Sequence, residues 1–260
     1  MVVYRQMKVK DCVSNLVLTI PDEFAVSNEV WPTETLDALR GVEGDAAAVI
    51  GSGNAPNILP ILDKIERVSF MDIASGHGKV FRAKLNAARS TGSLACSLGT
   101  DFAAALLSEA SLFDMTRVAK DKRHFTVNDE SARAFSALPD DLMIADHSLN
   151  ILDESKAQLV NPDAKRLAWL HLSNVVPYCV ERGAKDVEKK LFGFIDDLAG
   201  VDDDTMVTYS KRADVPFEDL KIRRLVVATK RLDELVFSDF LNQDTIHFDS
   251  SGQVVRRAIA

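Results

Sequence analysis

The chain has 260 residues, 47% hydrophobic and 27% charged, a composition able to bury a full core as one large domain. With 31 basic against 39 acidic side chains the formal charge is −8, and no Lys/Arg cluster with interleaved aromatics appears, which argues against a nucleic-acid partner. Cys12, Cys96 and Cys179 form no CxxC pair, against a disulfide or zinc framework, and no apolar run approaches about 18 residues, so the expectation is a cytoplasmic chain without a membrane segment.

Residues 1–44 read as an N-terminal segment, a cap or lid with one short helix. VSNLVLTI (13–20) suits a strand ended by Pro21-Asp22, and Trp31-Pro32-Thr33-Glu34 opens a helix through Arg40 with Thr33 as N-cap. From 45 to 260 strand and helix patterns alternate. AAAVIG (46–51) is a strand covered on both faces. NILPILDKIE (57–66) predicts a helix with Asn57 as N-cap and Pro60 in the first turn, where a missing N–H does no harm. RVSFMDIA (67–74) is the second strand, and KVFRAKLNAAR (79–89) a helix with Phe81, Leu85 and Ala88 on one stripe. A helical stripe over 101–118 precedes a third strand, HFTVND (124–129). DLMIADHSL (141–149) is the fourth strand and LAWLHLSNVV (167–176) the fifth. KDVEKKLFGFIDDL (185–198) is an amphipathic helix, Asp202-Asp203-Asp204 a solvated turn, and TMVTYS (205–210) and RRLVVATK (223–230) the last strands. This alternation predicts an α/β fold, a mostly parallel central sheet with helices on both faces. Ligands of such sheets bind beyond the strand C-termini, where strand order reverses.

The chemistry-bearing signal is Gly51-Ser52-Gly53 after the first strand, followed by Asp72-Ile73 at the end of the second. Glycines let a loop turn tightly and approach a ligand closely, and an acid on the neighbouring strand can accept hydrogen bonds from both ribose hydroxyls. A dinucleotide site needs G-x-G-x-x-G, but the third position is Pro56, which weakens a pyrophosphate reading. S-adenosylmethionine carries no phosphate and suits the wider loop. Asp129 would contact the adenine amine or simply cap the next helix. Asp146, which would also touch the cofactor, and His147 end the fourth strand beside the expected sulfonium. There His147 would act as general base, with Asp146 orienting it or binding an ammonium group. Asn150 borders the same place, while Asn174 and Tyr178 follow the fifth strand to face the acceptor or the methionine carboxylate. A loop ornament or a helix cap is the plainer role for these polar residues. The five histidines show no ligand spacing, so no metal is expected.

With these residues in place, roughly 45–230 resembles the class I S-adenosylmethionine-dependent methyltransferase superfamily, with its Rossmann-like fold. VIGSGNAPNILPIL followed by FMDIA is similar to nicotianamine synthases and related 3-amino-3-carboxypropyl transferases, whose Gly-Ser-Gly-x-x-Pro loop is matched by Gly51, Ser52, Gly53 and Pro56. HFTVND followed by DLMIADHSLNILDESKAQLV shares that family's cadence, and AKLNAAR and HLSNVVPY resemble the betaine-lipid type of aminocarboxypropyl transferase. The extended helical N-terminal domain typical of nicotianamine synthases has no counterpart here, so their substrate is not carried over. The resemblance implies transfer of the 3-amino-3-carboxypropyl arm to a small molecule, or its cyclisation, releasing methylthioadenosine. Methyl transfer to a small molecule and a non-catalytic protein keeping the fold are the alternatives. The expected partners are a small molecule and, at most, a second copy in a homodimer.

Overall fold

The computed structural model describes residues 6–10, 17–21, 29–30, 32–50, 59–62, 64–73, 77–78, 81–82, 85–86, 89, 137–217, 220–248 and 254–256. Its strands are β1 (Gln6–Lys10), β2 (Val17–Pro21), β3 (Glu29–Val30), β4 (Ala46–Ile50), β5 (Arg67–Asp72), β6 (Met143–Ser148), β7 (Leu167–His171), β8 (Met206–Phe217), β9 (Leu220–Arg231), β10 (Asp244–Phe248) and β11 (Val254–Arg256). The helices are α1 (Thr33–Leu39), α2 (Val175–Glu181), α3 (Val187–Asp196) and α4 (Phe237–Leu241). β1 and β2 form a separate antiparallel pair, and the other nine strands form one mixed sheet.

Strands β6, β5, β4, β7 and β8 lie side by side in that order, all parallel. The chain steps outward from β4 to β5 and β6, then returns to the other side of β4 as β7 and continues to β8. β9 runs antiparallel to β8 along its whole length, β3 adds to β9, and β10 with β11 extends from the far half of β8. This is an α/β protein built on a mostly parallel sheet.

Alternation along β4 shows why it is apolar throughout. Ala46 and Ala48 face one core with α2, α3 and α4, whereas Ala47 and Val49 face a second with Leu39 of α1, Leu59, Phe81 and Leu85. The pairing with β7 slips by one residue: Ala46 meets Leu167 but Ala47 meets Trp169. That bulge puts both Ala168 and Trp169 on the second core. In α3 the buried residues Val187, Leu191, Phe194 and Ile195 recur at helical spacing.

Several expectations need correction. The helix expected over 57–66 is, among the described residues, only a 3-10 turn at 59–61, because Lys64 takes a left-handed φ of 55° and the Glu66 and Arg67 amides already bond to Asp45 O. α1 starts behind Pro32 with no side-chain cap. Instead Thr35 Oγ1 donates to Val227 O of β9 at 3.0 Å. β3 pairs with β9 in the main sheet. The fifth strand stops at His171, since Ser173 is left-handed, and Val175 and Val176 open α2 against the first core. Pro177 then falls in the first turn, where no amide is needed. Asp202 and Asp204 are paired rather than merely solvated: Arg166 reaches them at 3.0 and 3.3 Å, and Arg231 reaches Asp204 at 3.3 Å. The segments 101–118 and 124–129 lie outside the described residues.

The N-terminal edge of the sheet is fastened by Asp45. Its carboxylate accepts the Arg166 amide at 2.8 Å and the Lys165 amide at 3.0 Å, with the Arg67 guanidinium at 3.4 Å. Burial pushes its pKa up, but those two amides and Arg67 outweigh it and hold the carboxyl below its ordinary 3.8. Because the folded value is depressed, the stabilisation is complete above the unfolded pKa and is lost as pH falls through the folded one. Asp45→Asn is therefore expected to cost about 1–3 kcal/mol at pH 7, with the gap to wild type closing below about pH 4 in urea titrations run at several pH values. Next to it, a Cβ on Gly44 would sit 2.7 Å from Ala168 Cβ and 2.9 Å from Arg166 O. Backbone cannot yield as a flexible side chain does, so Gly44→Ala is expected to lower the urea midpoint by the equivalent of about 1–3 kcal/mol.

Candidate functional site

Parallel pairing brings the C-terminal ends of β6, β5, β4 and β7 to one edge. Asp72 pairs with Ser148, Ile50 with Met71, and Val49 with His171. Strand order reverses at β4, the place where open α/β sheets leave a ligand crevice. Gly51, Ser52, Gly53 and Pro56, which follow β4 in sequence, lie outside the described residues, as does Asp129. At the strand ends themselves, Ile50, 72–73, 148–150 and 172–174 bring no lysine or arginine among the described residues.

Asp72 ends β5 as expected, and its side chain is nearly buried. Its Oδ2 stands 3.5 Å from Nε2 of His77, whose side chain is 1% exposed. Sequence reasoning missed His77; its place five residues beyond the acid was the available signal. Ile73 is exposed, and its carbonyl accepts the Ser148 hydroxyl at 3.1 Å.

The fourth strand of the sequence reading, β6, pairs with β5 and is outermost among the described strands on that side, while β7 lies beside β4. Asp146 and His147 thus stand beside the acid-bearing strand, not at the reversal. They also face opposite sides of the sheet. Asp146 Oδ2 accepts the Gly78 amide at 3.2 Å, and Gly78 packs so closely that a Cβ would meet Asp146 Cβ and Ile144 Cγ2 at 3.3 Å. His147 Nε2 meets Ser69 Oγ at 3.2 Å on the other face. Asp146 therefore does not orient His147 through a direct bond.

Ser69 belongs to a polar cluster that the sequence did not reveal. Its hydroxyl donates to Asn161 Oδ1 at 2.8 Å, and Asn161 Nδ2 donates to Ala47 O at 3.0 Å. Three adjacent strands are thereby joined across a face otherwise filled by apolar side chains. Burial holds the His147 pKa below the ordinary 6.5, against the opposing pull of the Asp146 carboxylate. The half-buried imidazole is therefore neutral at pH 7.

On the β7 side, Trp169 Nε1 donates to Thr208 Oγ1 at 2.8 Å, and Thr208 Oγ1 lies 2.9 Å from His171 Nδ1. This buried chain stiffens the strand that carries the next loop. Asn174 precedes α2, and its Oδ1 accepts the Ser173 hydroxyl at 3.4 Å. Tyr178 lies one turn into α2 with the Arg182 guanidinium 4.9 Å from its ring centre. Asn150 Oδ1 accepts the Leu152 amide at 3.0 Å and closes a turn. β6 and β7 are three strand spacings apart, about 14 Å. Residues of the two strand ends therefore stand apart rather than meeting over one atom.

Among the described residues no helix is long and apolar enough to cross a membrane. Comparison with protein-family models, with curated proteins and with solved structures finds no match for the chain.

Proposed function

We propose that the chain is an S-adenosylmethionine-dependent transferase with a Rossmann-like, class I methyltransferase fold. The observation that carries this reading is the reversal of strand order at β4, with Asp72 ending the adjacent strand β5. An acid one strand from the reversal is placed to hold ribose hydroxyls. The strand ends suit this ligand: a carboxylate, hydroxyls and amides gather there, groups able to meet ribose hydroxyls and the polar end of the methionine arm. Asp72 and Ile73 would border the nucleoside, and Asn174 and Tyr178 on the β7 side would hold the carboxylate of the methionine arm. His147, one strand beyond Asp72, would take the proton of an acceptor bound on that side.

The Gly51-Ser52-Gly53 run with Pro56 favours transfer of the 3-amino-3-carboxypropyl arm over transfer of the methyl group. A sulfonium activates three carbons, and the one held in line with the nucleophile is transferred. Incubation with S-adenosylmethionine, followed by mass identification of the released nucleoside, tests both levels of the reading. Methylthioadenosine is the expected product. S-adenosylhomocysteine would make the protein a methyltransferase, and absence of binding in an equilibrium titration would leave the fold without this cofactor.

A further inference from the structure

The Asn161 amide is oriented by its donor: Nδ2 reaches Ala47 O at 3.0 Å, so Oδ1 is the atom turned to Ser69. An amide oxygen only accepts, and a serine hydroxyl has one proton to give. That proton lies on the 2.8 Å bond to Asn161. The contact between Ser69 Oγ and His147 Nε2, at 3.2 Å, is then satisfied only if the imidazole donates. In a neutral ring a proton on Nε2 leaves Nδ1 bare, and Nδ1 has no protein partner among the described residues.

We propose that Ser69 and Asn161 are positioning residues that lock His147 in the Nε2–H tautomer, so that Nδ1 is the nitrogen that receives a proton from a bound acceptor. The inference rests on the reading of His147 as the base of the site. Three features favour it over a purely structural cluster. The ring is half-buried, whereas Ser69 is fully buried and cannot itself be a nucleophile. The anchor is the backbone carbonyl of β4, the strand at which the order reverses, so the lock is tied to the rigid centre of the sheet. Burial also keeps the ring neutral and able to accept.

In the transfer step the acceptor's lone pair forms the bond to carbon as the carbon–sulfur bond pair passes to sulfur. The acceptor's proton moves to Nδ1. The resulting imidazolium keeps its Nε2–H on Ser69 and later returns the Nδ1 proton to water. An acceptor with a neutral amine, hydroxyl or thiol group fits this step.

Nitrogen-15 spectra of the histidine rings read the lock without any ligand. In the wild-type protein at neutral pH, His147 is expected to show a protonated Nε2 and a bare Nδ1. Ser69→Ala should give a mixture of tautomers and lower kcat by about tenfold, with KM for S-adenosylmethionine unchanged. Ser69→Thr, which keeps the hydroxyl, should restore both. A proton on Nδ1 in the wild-type protein overturns the inference, as does a Ser69→Ala protein with unaltered tautomer and unaltered kcat. If the wild-type protein neither binds nor turns over S-adenosylmethionine, the functional reading fails, and the ring spectra alone decide the lock.

Discussion

Replacing Asp72 is expected to weaken S-adenosylmethionine binding by about 1–3 kcal/mol, the loss of charge-assisted hydrogen bonds to two hydroxyls. The residue ends β5 beside the strand at which the sheet reverses, and it is nearly buried. A carboxylate withdrawn from water gives stronger hydrogen bonds than an exposed one. The same burial complicates the simplest variant. Asp72→Ala would also remove the group that faces His77 at 3.5 Å, and breaking a buried pair destabilises. Asp72→Asn keeps the volume and one acceptor oxygen, so lost affinity in that variant reports on charge and not on collapse. Titration calorimetry on both variants, each checked for an intact melting transition, measures the effect. A folded Asp72→Asn protein with wild-type affinity would remove the acid from the site.

What the sequence showed and what it hid follow from where each signal resides. β4, β5 and β7 were legible because a strand covered on both faces is a continuous apolar run, and α3 because its stripe repeats at helical spacing. The overrun of β7 into Val175 and Val176 came from the same rule, since apolar β-branched residues serve a strand or a buried helix face equally well. Here a left-handed Ser173 decided between them. Strand order is not written in local pattern at all: 141–149 read as the fourth strand, with nothing in its pattern to say that it would pair with β5. The place of Asp72 at the end of a strand was legible because the apolar run and its acid lie within one short stretch of chain. The Ser69, His147 and Asn161 cluster was not: His147 stood out by itself, but Ser69 and Asn161 come from two other segments and nothing local joins them to it. Ser69 interrupting the apolar run of β5, and Asn161 opening an Asn-Pro-Asp turn, were the traces it left.

The largest effect on turnover is expected from His147. His147→Gln should lower kcat by about 10²–10⁴-fold, the usual contribution of a positioned general base, with little change in affinity for S-adenosylmethionine. Glutamine suits the test because its amide can still donate to Ser69 Oγ, so the polar cluster survives while the basic nitrogen is lost. Asp146→Asn should cost far less, since Asp146 faces the other side of the sheet and bonds to Gly78 N. Tyr178→Phe, on the β7 side, should raise KM more than it lowers kcat if the hydroxyl holds the methionine carboxylate. The pH profile gives an independent check. Burial holds the His147 pKa below 6.5, so the wild-type kcat should stay level as pH falls through 6.5, drop only in more acidic solution, and lose that acid limb in His147→Gln. An acceptor amine already free of its proton, or attack by the arm's own amine, would shrink the loss in kcat. Identification of the organic product separates those two cases. A His147→Gln enzyme with wild-type turnover and the wild-type acid limb would mean that solvent carries the proton and that β6 serves only to hold the edge in place.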